Sequence, residues 1–456
     1  MNANVFSPIR ISIPPAPRRD IFTLRDMMDR RTFLKNLATT AAGAAVLLEP
    51  AANGFAHTNR HTQSAPMLPT APVDDEKYWE SIREEFPIVH DQLYMNNGTM
   101  GPSPREVTER VTKRIQHVDS TGDYGGDHEA IKRAIAGVIN AENGDRIAYT
   151  HNVSEAISIV SSGIDMKAGD EVILTDQEHA GNAIPWLARK KRDGIVVKFV
   201  TLVPNDDELM QRFSDAITPR TRAISVPHLT CTTGQLLPIK RLSALAREKD
   251  IWMLADGAHP PGMLKVDVQD FGVHAYASCG HKWLCGPKGV GFLYIAPDFQ
   301  EHVIPTWTGG EADKHWDYQG NLDFLDTASR YDFATQNFAL YDGLLGAIEF
   351  MQKIGFERIE KRIQHLTTQL RAGLQSINNG RFHFLTPPTS VTGITTLKLD
   401  NKMDCQDFAN ALMAKHKVRT RVVHESGLNA NRLSNHIYTS EADIQAFLGV
   451  VKDVLG

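Results

Sequence analysis

The chain has 456 residues, of which 42% are hydrophobic and 23% charged, a composition typical of a globular protein with a sizeable core. A formal net charge of −5 without a long basic run disfavours nucleic acid as the main partner. No apolar stretch reaches the roughly 20 residues that span a bilayer, so we expect no stable membrane span. The cysteines, Cys231, Cys279, Cys285 and Cys405, are too sparse for a disulfide scaffold or a cysteine zinc cluster. We expect them to be small buried residues, and we expect no bound metal.

Residues 1–56 have the pattern of an extension and an export signal. The stretch Asp29-Arg-Arg-Thr-Phe-Leu-Lys35 resembles a twin-arginine motif, and an alanine-rich apolar run follows at 37–48. Gly54-Phe55-Ala56 predicts cleavage near Ala56, recognition by the twin-arginine export machinery and a periplasmic mature protein. A cytosolic amphipathic helix is the alternative, and the absence of acidic residues between Arg30 and Leu48 disfavours it. The start codon is left open between Met1 and Met27 or Met28.

A polar, proline-containing linker is predicted at 57–73, and a large domain at 74–330. Its first elements are a helix at 79–86, an extended stretch at 93–104, a helix after Pro104 and a helix at 128–140. Strands then alternate with helices. The strands are predicted at 146–149, 171–175, 195–200, 221–226 and 251–255, and the helices at 182–191, 207–216 and 238–249. This alternation predicts a largely parallel sheet with both faces covered and with ligands at the carboxyl ends of its strands.

The remaining part, 331–456, predicts a smaller α+β domain. Long helical patterns cover 336–354 and 357–377, and the elements that follow are a strand at 392–399, a helix at 404–416, strands at 418–423 and 435–438, and a helix at 441–455.

Polar residues follow three predicted strands of the large domain. Glu178 and His179 follow the second strand, His228 the fourth, and Asp256 to His259 the fifth. Each alone would more often be a helix cap or a turn former. We expect them to converge because the carboxyl ends of parallel strands share one edge of a sheet.

The junction at Asn152, Val153 and Ser154 begins a predicted helix, with Asn152 or Ser154 as the N-cap. Free backbone N–H groups and the helix dipole at such a terminus fit a phosphate. An ordinary capped helix is the alternative.

Lys282 lies in Ala275-Tyr-Ala-Ser-Cys-Gly-His-Lys-Trp-Leu-Cys-Gly-Pro-Lys-Gly-Val-Gly-Phe-Leu-Tyr-Ile295, whose flanks predict a β-hairpin. A lysine held there by glycine-rich backbone is desolvated, which favours the neutral amine that attacks a carbonyl. A solvated turn lysine is the alternative for Gly-His-Lys in isolation.

With these residues in order from Tyr94 to the C-terminus, the chain resembles the aminotransferase class V family of pyridoxal-phosphate (PLP) enzymes. The group includes isopenicillin N epimerase-like proteins, cysteine desulfurases and kynureninases. The resemblance implies fold type I, with a mostly parallel, doubly covered, seven-stranded sheet and a smaller C-terminal α+β domain. Lys282 matches the Schiff-base lysine, Asp256 the aspartate at the pyridine nitrogen, and His179 the histidine stacked on the ring. We count these three as catalytic.

The resemblance also implies the other cofactor and substrate contacts. His259 matches the residue beside the ring hydroxyl, and Thr308 matches a residue that reaches the partner's phosphate across a homodimer interface. The phosphate cup is matched by Asn152, Val153, Ser154, His281 and Ser278, with Cys279 at the usual serine position. Arg432 matches the arginine that holds the substrate carboxylate, and we assign Asn97 to the substrate as well.

Departures from the family limit the interpretation. Desulfurases carry a nucleophilic cysteine before the substrate arginine, and 419–432 contains none, so persulfide chemistry is disfavoured. We expect an exported PLP enzyme with aminotransferase-type chemistry on an amino-acid-like or peptide-derived substrate. The specific role that we predict for it is the maturation of a siderophore side chain. An epimerase or a β/γ-lyase stays open. A cofactor-dead exported binding protein is disfavoured because a buried Lys282 and Asp256 are costly without a role.

Overall fold

The computed structural model describes residues 72–89, 91–400 and 402–456. The predicted export signal and most of the predicted linker lie outside the described residues, so they stay predictions. Within the described part no helix has both the length and the apolar character needed to cross a bilayer.

The strands and helices follow the predicted alternation closely. In chain order the strands are β1 (Leu93–Tyr94), β2 (Ile147–Thr150), β3 (Glu171–Thr175), β4 (Val196–Val200), β5 (Thr221–Pro227), β6 (Trp252–Asp256), β7 (Ala275–Cys279), β8 (Gly291–Ile295), β9 (Asp313–Trp316), β10 (Leu322–Phe324), β11 (Phe382–Phe384), β12 (Ile394–Leu399), β13 (Val418–Arg419), β14 (Arg421–Val423) and β15 (Ala430–Ser434). The helices are α1 (Glu76–Glu84), α2 (Arg105–Thr121), α3 (His128–Ile139), α4 (Val153–Gly163), α5 (Ala180–Asp193), α6 (Asp206–Ala216), α7 (Ile239–Glu248), α8 (Val268–Phe271), α9 (Phe338–Ile354), α10 (Phe356–Ile377), α11 (Cys405–His416) and α12 (Glu441–Leu455).

A seven-stranded sheet forms the centre of the molecule, in the order β2-β8-β7-β6-β5-β3-β4. The strands from β7 to β4 pair in parallel, whereas β8 is antiparallel to both of its neighbours. Every residue of β2, β3, β7 and β8 is buried, which is expected for strands covered on both faces. The predicted sheet is confirmed, and its parallel strands end at one edge.

A second, antiparallel sheet in the order β11-β12-β15-β14 supports the C-terminal part. Its core includes Leu397, Phe408, Leu433 and Phe447. Helix α10 packs in both cores, because its first half contributes to the main core and its second half to the smaller one. The smaller sheet is therefore held firmly against the larger one.

One strand prediction in this part is wrong, and another is confirmed with a break. Residues 435–438 form a turn, and the strand is the preceding β15, whose residues are all buried. The sequence did not predict β15, because the apolar alternation typical of a strand is interrupted by Asn431, Arg432 and Ser434. The predicted strand at 418–423 divides at Thr420, since β13 pairs with β1 and β14 pairs with β15. The hairpin of β9 and β10 was not predicted.

Candidate active site

A cavity of about 190 Å³ lies at the carboxyl edge of the central sheet. Its lining residues are Gly98, Thr99, Asn152, Val153, Ser154, His179, Cys231, Asp256, Ala258, Cys279, His281, Lys282, Arg421 and Arg432. Larger cavities of about 780 and 670 Å³ lie elsewhere and contain none of these residues. The lining residues rather than the volume identify the candidate site. Of these three cavities, only the smallest is lined by a lysine, an aspartate and a histidine that come from the ends of different strands.

The start of α4 forms one wall of this cavity. The Asn152 side chain caps the helix, since its Oδ1 accepts a hydrogen bond from the Glu155 N–H at 3.0 Å. The first N–H groups of a helix have no intrahelical acceptor, and Val153 and Ser154 contribute such groups here. Nearby, His281 Nδ1 is buried and has no hydrogen-bond partner among the described residues, so it can donate when it carries the ring proton. These donors suit an anionic group such as a phosphate.

Lys282 lies in the connection between β7 and β8, as the sequence predicts. This connection is closed by hydrogen bonds from Gly280 N to Val290 O (2.9 Å) and from Gly286 N to Gly280 O (2.8 Å). Gly101 packs on the same backbone, and a Cβ there would lie 2.1 Å from the Lys282 carbonyl oxygen. Among the described residues Lys282 Nζ has no hydrogen-bond or ion-pair partner. Its backbone is therefore fixed while its amine faces the cavity free to react.

Asp256 is the last residue of β6 and is 4% exposed. Its Oδ1 accepts a hydrogen bond from Ala258 N at 2.9 Å, and no basic side chain within the described ranges forms an ion pair with it. Burial raises the pKa of Asp256, although the nearby charges of Lys282 and His179 oppose that rise. A buried carboxylate of this kind is costly unless a ligand cation faces it.

His179 caps α5, and its Nδ1 accepts a hydrogen bond from Gly181 N at 3.0 Å. The ring lines the cavity, where burial and then the charge of Lys282 lower the pKa of His179. Glu178 fixes the loop between β3 and α5, because its carboxyl group accepts hydrogen bonds from Thr175 N and Asn182 Nδ2. Burial raises the pKa of Glu178 to about 8. A neutral His179 can stack on an aromatic ring.

Arg432 is 1% exposed and has no acidic partner in the described part of the chain. Its Nη1 donates to the Cys231 carbonyl oxygen and its Nη2 donates to Thr99 Oγ1, each at 2.8 Å. Burial lowers its pKa to about 9. A buried guanidinium held only by neutral acceptors is a ready partner for a ligand carboxylate.

Several assigned residues do not line the cavity. Ser278 Oγ donates to the Gly257 carbonyl oxygen at 2.8 Å, and Cys279 lines the cavity in its place, because adjacent strand residues face opposite ways. The amide oxygen of Asn97 accepts a hydrogen bond from the Tyr438 hydroxyl at 3.0 Å, so the side chain lies behind the cavity wall. Thr308 is exposed and does not reach the cavity of its own chain.

Two histidines also lie outside the lining. His259 accepts a hydrogen bond from Trp283 Nε1 at 3.0 Å, which leaves its buried Nε2 as a donor without a partner. Burial, Lys282 and Arg432 hold its pKa well below the usual value. His228 does not join the other strand-end residues, because its Nδ1 pairs with the Tyr276 hydroxyl at 2.9 Å, and the expected convergence is wrong for this residue.

The sequence reasoning missed Thr99 and Arg421. Thr99 follows the Asn-Asn-Gly turn at 96–98, which signals only a loop. Arg421 lies opposite Arg432 in the pairing of β14 with β15. That register depends on the pairing of the two strands in the folded protein, so no local sequence pattern predicts it. All four cysteines are buried and free, as expected.

A PLP-dependent enzyme of fold type I is the class that this site indicates, because a lysine amine, a buried carboxylate, a histidine and a helix N-terminus meet at the carboxyl edge of a parallel sheet. Solved structures agree with this class. C-DES with glycine covalently linked to its PLP cofactor matches with a TM-score of 0.75 and 26% identity over 81% of this chain and 99% of that one. The cystine C-S lyase C-DES in complex with cysteine persulfide matches with a TM-score of 0.74 and 27% identity over 81% and 99%.

The aminotransferase class-V model matches residues 110–447, and the chain belongs to this family. A probable cysteine desulfurase of Methanothermobacter thermautotrophicus is 28% identical over 83% of this chain and 98% of its own length. The isopenicillin N epimerase of Amycolatopsis lactamdurans is 27% identical over 82% and 98%. The cofactor and the fold predicted from the sequence are thereby confirmed.

The residues present fit PLP. The unpaired Asp256 carboxylate suits a protonated pyridine nitrogen, and the unpartnered donors of α4 and His281 suit the phosphate. Lys282 Nζ is free to condense with the aldehyde.

Proposed function

We propose that the protein is an exported PLP-dependent enzyme that acts on the amino group or the α-carbon of an amino-acid-like or peptide-derived substrate, with aminotransferase-type chemistry. The observation that carries this proposal is the buried Arg432, which lines the same cavity as Lys282 and Asp256 and lacks an acidic partner among the described residues. An α-carboxylate on Arg432 would hold the substrate amine in the cavity with Lys282.

Different side chains of the cavity would have different roles in this reaction. Bound PLP supplies an aldehyde that condenses with amines and a ring that withdraws electrons from the α-carbon. Asp256 would keep the ring nitrogen protonated, and His179 would stack on the bound ring. The unpaired Nζ of Lys282 removes and returns the proton at the α-carbon. His259, whose buried Nε2 lacks a hydrogen-bond partner among the described residues, would be the donor to a ring hydroxyl.

Persulfide chemistry is not part of the proposal, although several relatives carry the name cysteine desulfurase. Cys231 and Cys279 line the cavity, and burial raises the pKa of both thiols, that of Cys279 to about 11. A thiol held protonated is a poor nucleophile. The segment 419–432, which precedes and includes the substrate arginine, contains no cysteine.

The second candidate is an epimerase or a β/γ-lyase on the same scaffold. The isopenicillin N epimerase relative and the cystine C-S lyase structure support it, because each covers more than four fifths of this chain. The same Lys282, Asp256 and Arg432 serve either reaction, since all begin at the α-carbon.

Incubating the holoenzyme with candidate amino donors distinguishes these chemistries. Transamination converts the cofactor to its amine form, which acid releases and chromatography identifies. Epimerisation exchanges the α-proton with deuterium from the solvent and leaves the cofactor unchanged, whereas elimination releases ammonia and an oxo acid. Failure to detect any of the three with a broad donor panel would contradict an enzymatic role.

Periplasmic location and siderophore side-chain maturation are further parts of the proposal. They rest on the twin-arginine pattern at 29–35 combined with a PLP fold, because that route carries proteins that have already folded with their cofactor. Processing of an Arg30→Lys/Arg31→Lys variant tests the export step.

A homodimer with shared active sites is also proposed. Thr308 lies exposed beside Trp307, which is 70% exposed, and Ile304 is 58% exposed. Large apolar side chains so exposed are typical of an interface. Mixing Lys282→Ala chains with Thr308→Arg chains should restore activity, because one site of each heterodimer carries neither substitution. An absence of complementation despite demonstrated subunit exchange would contradict the shared site.

A further inference from the structure

Two arginines meet in the cavity. In the antiparallel pairing of β14 with β15, Arg421 lies directly opposite Arg432, and both line the cavity. Side chains at directly opposed positions have Cβ atoms about 5 Å apart. Two like charges so close repel each other unless anions lie between or beside them.

Arg421 is only partly neutralised by the protein. Its Nη2 forms an ion pair with Glu425, but its Nη1 is buried and has no hydrogen-bond partner within the described ranges. In the part of the chain that the structure describes, Arg432 likewise has a buried Nε without a partner and no acidic residue bonded to it. Two guanidinium groups therefore line the cavity, and each has a buried donor without a partner among the described residues. The carboxylate bonded to Arg421 is that of Glu425.

The cofactor does not account for this surplus of positive charge. The donors that suit its phosphate come from α4 and His281, whereas both arginines come from the smaller sheet. One arginine suffices for the α-carboxylate of an amino acid, since a guanidinium binds a carboxylate through two parallel hydrogen bonds. The second guanidinium is left for another part of the substrate.

We propose that Arg421 binds a second anionic group, so that the substrate is an α-amino compound with a carboxylate at the end of its side chain. This inference rests on the proposed function, with the α-carboxylate on Arg432. Glu425 competes with the side-chain carboxylate for Arg421 and so tunes the affinity for it. Amino compounds with neutral side chains bind more weakly, because they leave Arg421 Nη1 buried and unpaired.

Calorimetric titration of the holoenzyme with unreactive acids tests the inference without turnover. Glutarate and pentanoate have the same number of carbon atoms, and only glutarate carries a second carboxylate. We expect glutarate to bind about tenfold more tightly, which is the gain from one moderately buried charge pair. In Arg421→Met this preference should disappear while pentanoate binds as before.

Matched variants separate charge from folding. Arg419→Met changes an exposed arginine on the same segment that does not line the cavity, and it should keep the full preference. Arg421→Lys should keep part of it, and Glu425→Gln should strengthen glutarate binding. Equal affinities for the two acids in the wild type, or a preference that persists in Arg421→Met, would overturn the inference.

The two proposals fail in different ways. A holoenzyme that prefers glutarate but processes no amino compound would contradict the proposed reaction and leave Arg421 as an anion site. A holoenzyme that processes amino acids but binds both acids equally would contradict only the role of Arg421.

Discussion

Replacing Asp256 by asparagine removes one charge from the candidate site and leaves its shape intact. The carboxamide oxygen can accept the same hydrogen bond from Ala258 N that Oδ1 accepts now, so we expect the fold to persist. Burial already raises the pKa of Asp256, which means that the empty protein gains nothing from this charge. Asp256→Asn should therefore unfold at the same temperature as the wild type, or higher.

The effect on the reaction should be large. Loss of one partner from a buried charge pair costs about 3 to 4 kcal/mol, which corresponds to a decrease in kcat of roughly 10²- to 10³-fold. The assay compares kcat per cofactor-loaded site, with cofactor content measured by absorbance. KM should change much less, because Arg432 still holds the carboxylate.

Asp176→Asn is the matched control. Asp176 directly follows β3, another parallel strand of the same sheet, and accepts a backbone hydrogen bond from Leu202 N at 3.0 Å, but it does not line the cavity. Its kcat should stay within about twofold of the wild type, as is usual for a substitution outside the site. A cofactor-loaded Asp256→Asn enzyme with wild-type kcat would refute the assignment of Asp256 to the ring nitrogen.

Three other results are expected. Gly101→Ala should lower kcat at least about tenfold, because its Cβ would lie 2.1 Å from the Lys282 carbonyl oxygen and must displace that backbone, whereas Gly137→Ala, with open space around it, should be neutral. Wild-type kcat in Gly101→Ala would show that the lysine backbone need not be held. Burial lowers the pKa of His228 to about 3 and of His274 and His436 to about 4, so the unfolded chain binds their protons first as the pH falls. The free energy of unfolding in urea should fall between pH 7 and 5 by about 2 kcal/mol for each histidine, and a pH-independent value would contradict neutral buried rings. Arg30→Lys/Arg31→Lys should accumulate uncleaved in the cytoplasm, and normal processing would refute the twin-arginine assignment.

The sequence predicts the architecture well where the chain is regular. The apolar runs at 171–175 and 221–226 are strands because both faces of the central sheet are covered, and burial of that kind leaves an unmistakable pattern. Lys282, Asp256 and His179 could be located for a related reason. Each lies at or just beyond the end of a strand, and the carboxyl ends of parallel strands meet at one edge of the sheet.

Features that depend on pairing between distant segments could not be read in the same way. The strand at 430–434 contains Asn431, Arg432 and Ser434, which are buried because the rest of the fold supplies their surroundings. Arg421 reaches the cavity only through its register opposite Arg432. The orientation of Ser278 away from the cavity and of Cys279 toward it follows from the pleat of β7, whose phase a single sequence does not give.

The central claim is that Lys282 carries the cofactor, and borohydride reduction tests it most directly. Reduction of the holoenzyme fixes the cofactor covalently on the lysine that binds it, and mass spectrometry of a protease digest then locates the added mass. We predict that the added mass lies on Lys282 and is lost in Lys282→Ala. Lys288 is a stringent alternative, since it lies in the same connection between β7 and β8 and burial lowers the pKa of its amine. Added mass on Lys288, or a cofactor-loaded protein without covalent mass after reduction, would contradict the account.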